Sequence, residues 1–285
     1  MKSTIGRMMM VMKTFPSKIE EVKMLQFPLL EGYCNISHFT TTRHGGVSQG
    51  LYGSLNFGRH SGDDIQTVWD NFRILSEAIE IPLERIYVPG QVHGCRIVDI
   101  NESFLSASKV EQQTRIQGTD ALITSISDVC VAVSTADCVP VLLYAPDKKI
   151  VASIHAGWRG TVQHIGAKAA LYIKEQYGAD MSLMLAGIGP SIDRDSFEVG
   201  EEVVDAFCKA EFDSSIIKRD MKTGKAHIDL WEANRLQLID VGIKPEHIEV
   251  SGISTFTHVG DFFSARRLGK DCGRMLSGIW IKEGK

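Results

Sequence analysis

Five short apolar runs lie close together in the middle of this chain and set the strongest limit on how it can fold. They occupy residues 96–100, 121–124, 129–134, 139–144 and 150–154. Short runs of this kind, bounded by turn residues and rich in β-branched side chains, are typical of strands buried in a sheet. The sequence therefore predicts that the middle of the chain forms a buried sheet.

Helical patterns and further strands flank this region. Apolar spacing predicts a helix from Ile65 to Ile79, with a capping signal at Asp63 and Asp64. A second helix is predicted over residues 161–177 and ends at Gly178. Further strands are predicted at residues 37–42, 183–188, 248–253 and 275–281, and further helices at 200–210 and 230–241. The predicted class is mixed α/β.

The 285 residues are enough for one large domain or two small ones. No repeat or Pro/Ser-rich linker divides them, so we expect a single domain over residues 17–285, preceded by an added leader or disordered start over residues 1–16.

The apolar run at residues 8–12 is too short to span a bilayer. The six cysteines are too dispersed for a disulfide framework. We expect a cytoplasmic protein with reduced thiols and no membrane partner.

The charge of the chain bears on its partners. A formal net charge of −4 provides no general basic field that could hold nucleic-acid phosphates. We therefore expect no nucleic-acid partner. The sequence gives no indication of the oligomeric state.

Three residues far apart in the sequence form the clearest candidate for a chemical site. His93, Cys138 and His155 each follow an apolar, strand-like run, where functional groups concentrate. Two imidazoles and a thiolate suit zinc, and three ligands leave a fourth tetrahedral position open for water or substrate. Each residue alone is more often a small buried hydrophobe or a core histidine. Their combination predicts an open, catalytic metal site.

Short sequence motifs, in a fixed order along nearly the whole chain, resemble those of a known family. They include RHGG at 43–46, QVHG at 91–94, GTDAL at 118–122, ADC at 136–138 and HAGWRG at 155–160. In these blocks the chain resembles the YfiH family, also called the laccase-domain or multicopper polyphenol oxidoreductase family, which includes YlmD-type proteins.

The resemblance implies zinc bound by His93, Cys138 and His155. It implies a purine nucleoside phosphorylase acting on adenosine, inosine, guanosine or methylthioadenosine with phosphate, and adenosine deaminase activity in addition. The chain would then be both a transferase and a hydrolase. The implied fold is mixed α/β, with flanking helices around a β-sandwich core similar to the catalytic domain of cytotoxic necrotizing factors.

Five further residues are candidate substrate contacts. Arg43 stands beside a Gly-Gly turn, where a guanidinium and backbone amides can bind phosphate or ribose oxygens. His44 and His60 are candidate proton donors, since neutral histidines exchange protons near physiological pH. Asp137 either orients a ligand or carries protons, or it is a turn carboxylate that accepts hydrogen bonds from nearby backbone amides. Arg159 is expected to shape the pocket, although a salt-bridged core arginine has the same sequence pattern.

Other functions stay open at this point. Cys138 activated by His155 or His93 could be the nucleophile of a cysteine hydrolase. Copper on the same ligands could support phenol oxidation, but none of the nine histidines forms a His-x-His pair, which weakens the copper interpretation. A binding protein with a vestigial site is the remaining alternative.

Overall fold

The computed structural model describes residues 10–16 and 21–283, and its centre is a pair of β-sheets. In the described chain the first sheet has six strands, in the spatial order Val11–Phe15 (β1), Val22–Gln26 (β2), Ile36–Thr41 (β3), Met275–Ile281 (β15), Cys130–Thr135 (β7) and Ile86–Tyr87 (β4). Its neighbouring strands are antiparallel except for β4 and β7, which are parallel.

The second sheet also has six strands within the described residues. Their spatial order is Ile248–Val250 (β14), Leu185–Ile188 (β10), Val139–Ala145 (β8), Ile150–Ala156 (β9), Ala121–Thr124 (β6) and Ile97–Asp99 (β5). The outer pairs β14–β10 and β6–β5 are parallel, and the inner pairs are antiparallel. A small antiparallel sheet is formed by Glu198–Val199 (β11), Ala226–Ile228 (β13) and Ile217–Arg219 (β12).

Helices cover the outer faces of the two large sheets. None in the described part of the chain is long and apolar enough to cross a membrane. Their bounds are Pro28–Glu31 (α1), Ile65–Ile79 (α2), Glu102–Leu105 (α3), Lys109–Arg115 (α4), Trp158–Val162 (α5), Ile165–Tyr177 (α6), Glu201–Lys209 (α7), Leu230–Asp240 (α8) and Ala265–Leu268 (α9).

The two large sheets pack face to face because their strands are apolar on both sides. In β15, Met275 and Ile279 point between the sheets, whereas Leu276 and Trp280 pack against α2. The helices α6 and α8 cover the outer side of the second sheet. Burying each large apolar side chain contributes about 1.5–3 kcal/mol, so layered burial dominates the stability of this fold. The predicted mixed α/β class with a β-sandwich core and flanking helices is confirmed.

The N-terminal segment differs from what its sequence suggested. Residues 1–16 were expected to be a leader or a disordered start, but Met10 is buried and β1 pairs with β2 along its whole length. Four of the five β1 side chains are exposed, which explains why the segment lacks the pattern of a buried strand. Residues 1–9 lie outside the described chain. All six cysteines are free, as expected.

Candidate metal centre

The fold brings His93, Cys138 and His155 together at one end of the sandwich. Each residue offers one ligand atom, and these atoms lie within 4.8 Å of one another. The rings of His93 and His155 meet edge to face, with centroids 4.7 Å apart. Two nitrogens and one sulfur therefore surround a common point, an arrangement that transition-metal sites use.

The topology of the strands explains why these three residues lie close together. β8 and β9 are antiparallel, and Pro140 pairs with His155. Cys138, in the turn just before β8, must therefore lie beside the end of β9 that carries His155. His93 is supplied by the loop between β4 and β5.

Two residues at the metal centre have backbone dihedral angles in the left-handed region. His93 has a φ of 62° and Asp137 a φ of 85°. This conformation is uncommon for residues other than glycine and costs about 1–3 kcal/mol, so surrounding contacts must enforce it. Gln91 supplies one such contact, because its amide accepts from the Ser134 N–H at 2.8 Å and donates to the Ser134 carbonyl at 2.8 Å.

The buried carboxylate of Asp120 orients two of the candidate ligands. Its Oδ1 accepts from the His93 N–H at 2.9 Å and from His155 Nδ1 at 2.7 Å, and its Oδ2 accepts from the Gly94 N–H at 2.8 Å. A carboxylate can only accept here, so His155 carries its proton on Nδ1 and presents Nε2 to the centre. Burial raises the pKa of Asp120, but these hydrogen bonds outweigh burial and hold the pKa below its usual value.

Cys138 and His155 stabilise each other's charged forms. Burial opposes the Cys138 thiolate, but the Coulombic and hydrogen-bonding influence of His155 and His93 lowers its pKa to about 6. Burial also opposes a charged His155, yet Cys138 and Asp120 raise the pKa of His155 to about 9. The thiolate, which is the form that binds metal, is therefore accessible near neutral pH.

Gly157 leaves the space that these three side chains occupy. A Cβ atom at this position would lie 2.9 Å from His93 Cδ2 and 3.1 Å from Cys138 Sγ. Even a methyl group would therefore force the ligands to move. The residue is a glycine for reasons of space, since its φ of −62° is open to any residue.

We expect Gly157→Ala to weaken the binding of added zinc by about tenfold, because the displaced ligand atoms no longer point at one common position. Titration against a competing chelator measures this. Gly32→Ala is the matched control, since a Cβ there meets its nearest atom at 3.6 Å and should leave zinc affinity unchanged. Equal affinity in the Gly157 variant and the wild type would contradict the assigned geometry.

The centre opens into a cavity of about 600 Å³. Volumes of this order accommodate small-molecule ligands. The cavity is lined by His93, Cys138 and His155 together with Phe57, Gly58, Arg59, His60, Ser61, Pro89, Gly90, Gln91, Ser134, Thr135, Ala136, Asp137, Ile192, Phe197, Ala265, Arg266, Lys270 and Arg274.

Of the five predicted substrate contacts, His60 and Asp137 line this cavity. The Asp137 carboxylate is already bonded within the protein, with Oδ1 accepting from Thr255 Oγ1 at 2.7 Å and Oδ2 from the Arg266 N–H at 2.6 Å. The structure therefore favours the alternative in which Asp137 accepts hydrogen bonds to fix the backbone around it.

Arg43, His44 and Arg159 do not line the cavity, so the structure gives no support to their predicted substrate contacts. Arg43 donates from Nε to the Gly53 carbonyl at 2.7 Å and from Nη1 to the Val259 carbonyl at 2.9 Å, and it stacks on Phe263. Its guanidinium therefore stabilises loops.

The other two side chains likewise have partners outside the cavity. His44 Nε2 lies 2.9 Å from Asp261 Oδ1. Arg159 is exposed and lies over the Trp158 ring, with its guanidinium carbon 4.2 Å from the ring centroid.

Sequence reasoning missed Asp120, Gly157 and the basic residues that line the cavity. Asp120 directly precedes an apolar run, whereas the predicted ligands follow such runs, and a search for polar residues at both ends of each run could have identified it. The basic residues are Arg59, Arg266, Lys270 and Arg274. Arg266, Lys270 and Arg274 lie in one short segment, but Arg59 is far from it in the sequence, and no local pattern marks the four as one group.

Comparisons with known proteins agree with this architecture. A family model described as multi-copper polyphenol oxidoreductase laccase matches residues 37–282. Among solved structures, YlmD from Geobacillus stearothermophilus is similar, with a TM-score of 0.83 and 34% identity over 94% of this chain and 99% of that one. A Bacillus licheniformis protein described as hypothetical protein YfiH has a TM-score of 0.84 and 28% identity over the same shares.

Curated relatives carry enzyme names. A purine nucleoside phosphorylase from Bacteroides thetaiotaomicron is 46% identical and covers 92% of this chain and 97% of its own length. An adenosine deaminase from an unknown prokaryotic organism is 41% identical, covering 87% of this chain and 94% of its own length.

Proposed function

Because this chain belongs to the multi-copper polyphenol oxidoreductase laccase family and is an enzyme, we propose that it is a zinc-dependent purine nucleoside phosphorylase that also deaminates adenosine. The observation that carries the proposal is the meeting of His93, Cys138 and His155 beside a cavity large enough for a nucleoside and a second substrate. The names of the relatives support purine nucleosides, adenosine among them, and the family resemblance adds inosine, guanosine and methylthioadenosine as substrates to test.

The residues present fit zinc. Two imidazoles and a thiolate are its usual donors, and three protein ligands are typical of its catalytic sites. Asp120 orients His155 as the carboxylate partners of zinc-bound histidines do. When bound, zinc supplies Lewis acidity and activates water near neutral pH.

The protein's own residues hold the metal ligands at the place where the reactants would meet. Asp120 fixes the tautomer of His155, and Gln91 holds the loop that carries His93. Phosphorolysis and deamination then differ in the second reactant, which is phosphate at C1′ of the ribose in the first reaction and water at C6 of adenine in the second. One cavity could serve both reactions because each starts from a bound nucleoside.

A cysteine hydrolase is the second candidate, and the contact of Cys138 with two histidines favours it. A thiolate beside an imidazole is the arrangement of cysteine nucleophiles. A chelator distinguishes the two functions, because metal removal should abolish the zinc enzyme and spare the hydrolase.

A multicopper oxidase is poorly supported by the ligands. Within the described residues, one group of three or more potential ligands meets the geometry of a metal site. Copper could still occupy these same ligands and give weak phenol oxidation.

The decisive experiment incubates zinc-loaded, copper-free protein anaerobically with a panel of purine nucleosides, with and without phosphate. We expect free base and ribose 1-phosphate when phosphate is present, and inosine from adenosine when it is absent. Mass spectrometry identifies each product. Nucleoside turnover that appears only with copper and oxygen would overturn the proposal.

A further inference from the structure

Basic side chains outnumber acidic ones in the lining of the cavity. Four basic residues line it, namely Arg59, Arg266, Lys270 and Arg274, although the chain as a whole has a formal net charge of −4. Among the described residues, none of the four forms an ion pair with a carboxylate. The single carboxylate in the lining, Asp137, is occupied by Thr255 and a backbone N–H.

The guanidinium groups are fixed by carbonyl oxygens, which hold them in place but leave their charge unbalanced. Arg59 Nη2 donates to the Val88 carbonyl at 2.8 Å, and Arg274 Nη2 donates to the Lys270 carbonyl at 2.7 Å. Lys270 is exposed, and its ammonium group makes no hydrogen bond or ion pair within the described chain. Cations fixed by hydrogen bonds, beside one cation whose ammonium group is unpaired among the described residues, suit the binding of a small anion.

A buried asparagine joins the two segments that supply these cations. Asn56 Oδ1 accepts from the Gly58 N–H at 2.7 Å and from the Arg274 N–H at 2.8 Å. Its Nδ2 donates to Asp63 Oδ2 at 2.9 Å. The segment with Arg59 and His60 is thereby held against the segment that contains Lys270 and Arg274.

We propose that Arg59, His60, Lys270 and Arg274 form an anion subsite that holds orthophosphate as the attacking reactant. This inference rests on the proposed function, because it assigns the second substrate of phosphorolysis to one wall of the same cavity. The wall is separate in sequence from the segments that carry the metal ligands, and it replaces Arg43 as the source of phosphate contacts.

The reaction at this subsite balances without a further reactant. An oxygen of HPO₄²⁻ forms the bond to C1′ as the bond between C1′ and the purine nitrogen breaks. The electron pair of that bond leaves with the purine, and the proton of the phosphate passes to the purine. The products are ribose 1-phosphate and the free base. Deamination needs no anion, so the subsite would control which reaction the enzyme carries out.

Lys270→Ala is the most direct test, because the Lys270 side chain has no hydrogen-bond or ion-pair partner among the described residues whose loss could disturb the fold. We measure phosphorolysis of inosine over a range of phosphate concentrations, and deamination of adenosine without phosphate. We expect the KM for phosphate to rise by about tenfold or more, which is the effect of losing one charge-assisted contact. The ratio of phosphorolysis to deamination should fall accordingly, and Lys270→Arg should restore part of it.

Lys222→Ala is the matched control, since Lys222 is exposed, carries the same charge and does not line the cavity. It should leave both reactions as they are in the wild type. An unchanged KM for phosphate in Lys270→Ala, or an equal loss of both reactions, would overturn the assignment.

Direct binding separates failure of the subsite from failure of the proposed function. At fixed ionic strength, orthophosphate should raise the melting temperature of the wild type more than that of Lys270→Ala, whether or not any nucleoside is turned over. Inosine 5′-monophosphate serves as a second ligand. Stabilisation by the monophosphate without stabilisation by orthophosphate would mean that the wall binds a nucleotide phosphate, and the orthophosphate assignment would be wrong.

Discussion

Replacing Cys138 by alanine is expected to abolish zinc binding and nucleoside turnover while the fold persists. The residue lies in the turn between β7 and β8, outside the three apolar clusters that form the core, so its loss leaves no large cavity. Removing a residue that merely orients a ligand costs about 10–100-fold in metal affinity or activity. Removing a ligand itself should therefore reduce turnover by more than about a hundredfold.

Metal analysis, a nucleoside turnover assay and circular dichroism of the purified variant measure the three parts of this prediction. His93→Ala and His155→Ala should behave in the same way. Cys208→Ala is the matched control, because Cys208 is an exposed thiol on α7. Full zinc content in all three ligand variants would exclude the site, whereas loss of secondary structure would indicate that the metal has a structural role.

The second large effect is expected for Asp120→Asn. The carboxylate accepts through Oδ1 from the His93 N–H and from His155 Nδ1, and through Oδ2 from the Gly94 N–H. An amide replaces one of its two acceptor atoms with a donor, which then faces a hydrogen-bond donor. Depending on which oxygen is replaced, the protein loses the contacts to His93 and His155 together or the contact to Gly94, and in both cases the loop that carries His93 is held less firmly.

We therefore expect zinc affinity in Asp120→Asn to fall by about 10–100-fold. The protein should also lose about 1–3 kcal/mol of stability, because a buried donor loses its partner. Competition with a chelator and thermal unfolding provide the two measurements. Asp70→Asn, which alters an exposed carboxylate on α2, should leave both unchanged. Wild-type zinc affinity in Asp120→Asn would show that the ligands do not depend on this carboxylate.

The sequence was most informative where strands are buried on both faces. Residues 121–124 and 275–281 were predicted as strands and coincide with β6 and β15. The start of α2 was also correct, since Asp64 accepts from the Thr67 N–H as an N-cap. These features depend on local patterns, which a sequence shows directly.

Features that depend on long-range contact were missed. The helix predicted over residues 161–177 is divided, because His164 adopts a left-handed φ of 57° between α5 and α6. The RHGG block was interpreted as a ligand-binding loop, but a Cβ at Gly46 would lie 2.4 Å from the Ser54 carbonyl oxygen. That glycine permits close packing of two segments, a role that only the folded chain reveals.

The cytoplasmic location and the lack of a nucleic-acid partner stay predictions, and so do two expectations about the fold. One is the similarity of the sandwich to the catalytic domain of cytotoxic necrotizing factors. The other is the domain boundary at residue 17, since residues 17–20 lie outside the described chain.

The position of β15 has a consequence for biosynthesis. This strand lies between β3 and β7 in the first sheet, and its Ser277 hydroxyl contacts that of Thr40, which is 237 residues earlier. During translation, β3 and β7 therefore emerge long before the strand that joins them, and their open edges are free to pair with other chains. The sandwich can close only after β15 has left the ribosome. A newly made chain is therefore open to pairing with other chains until β15 has been synthesised.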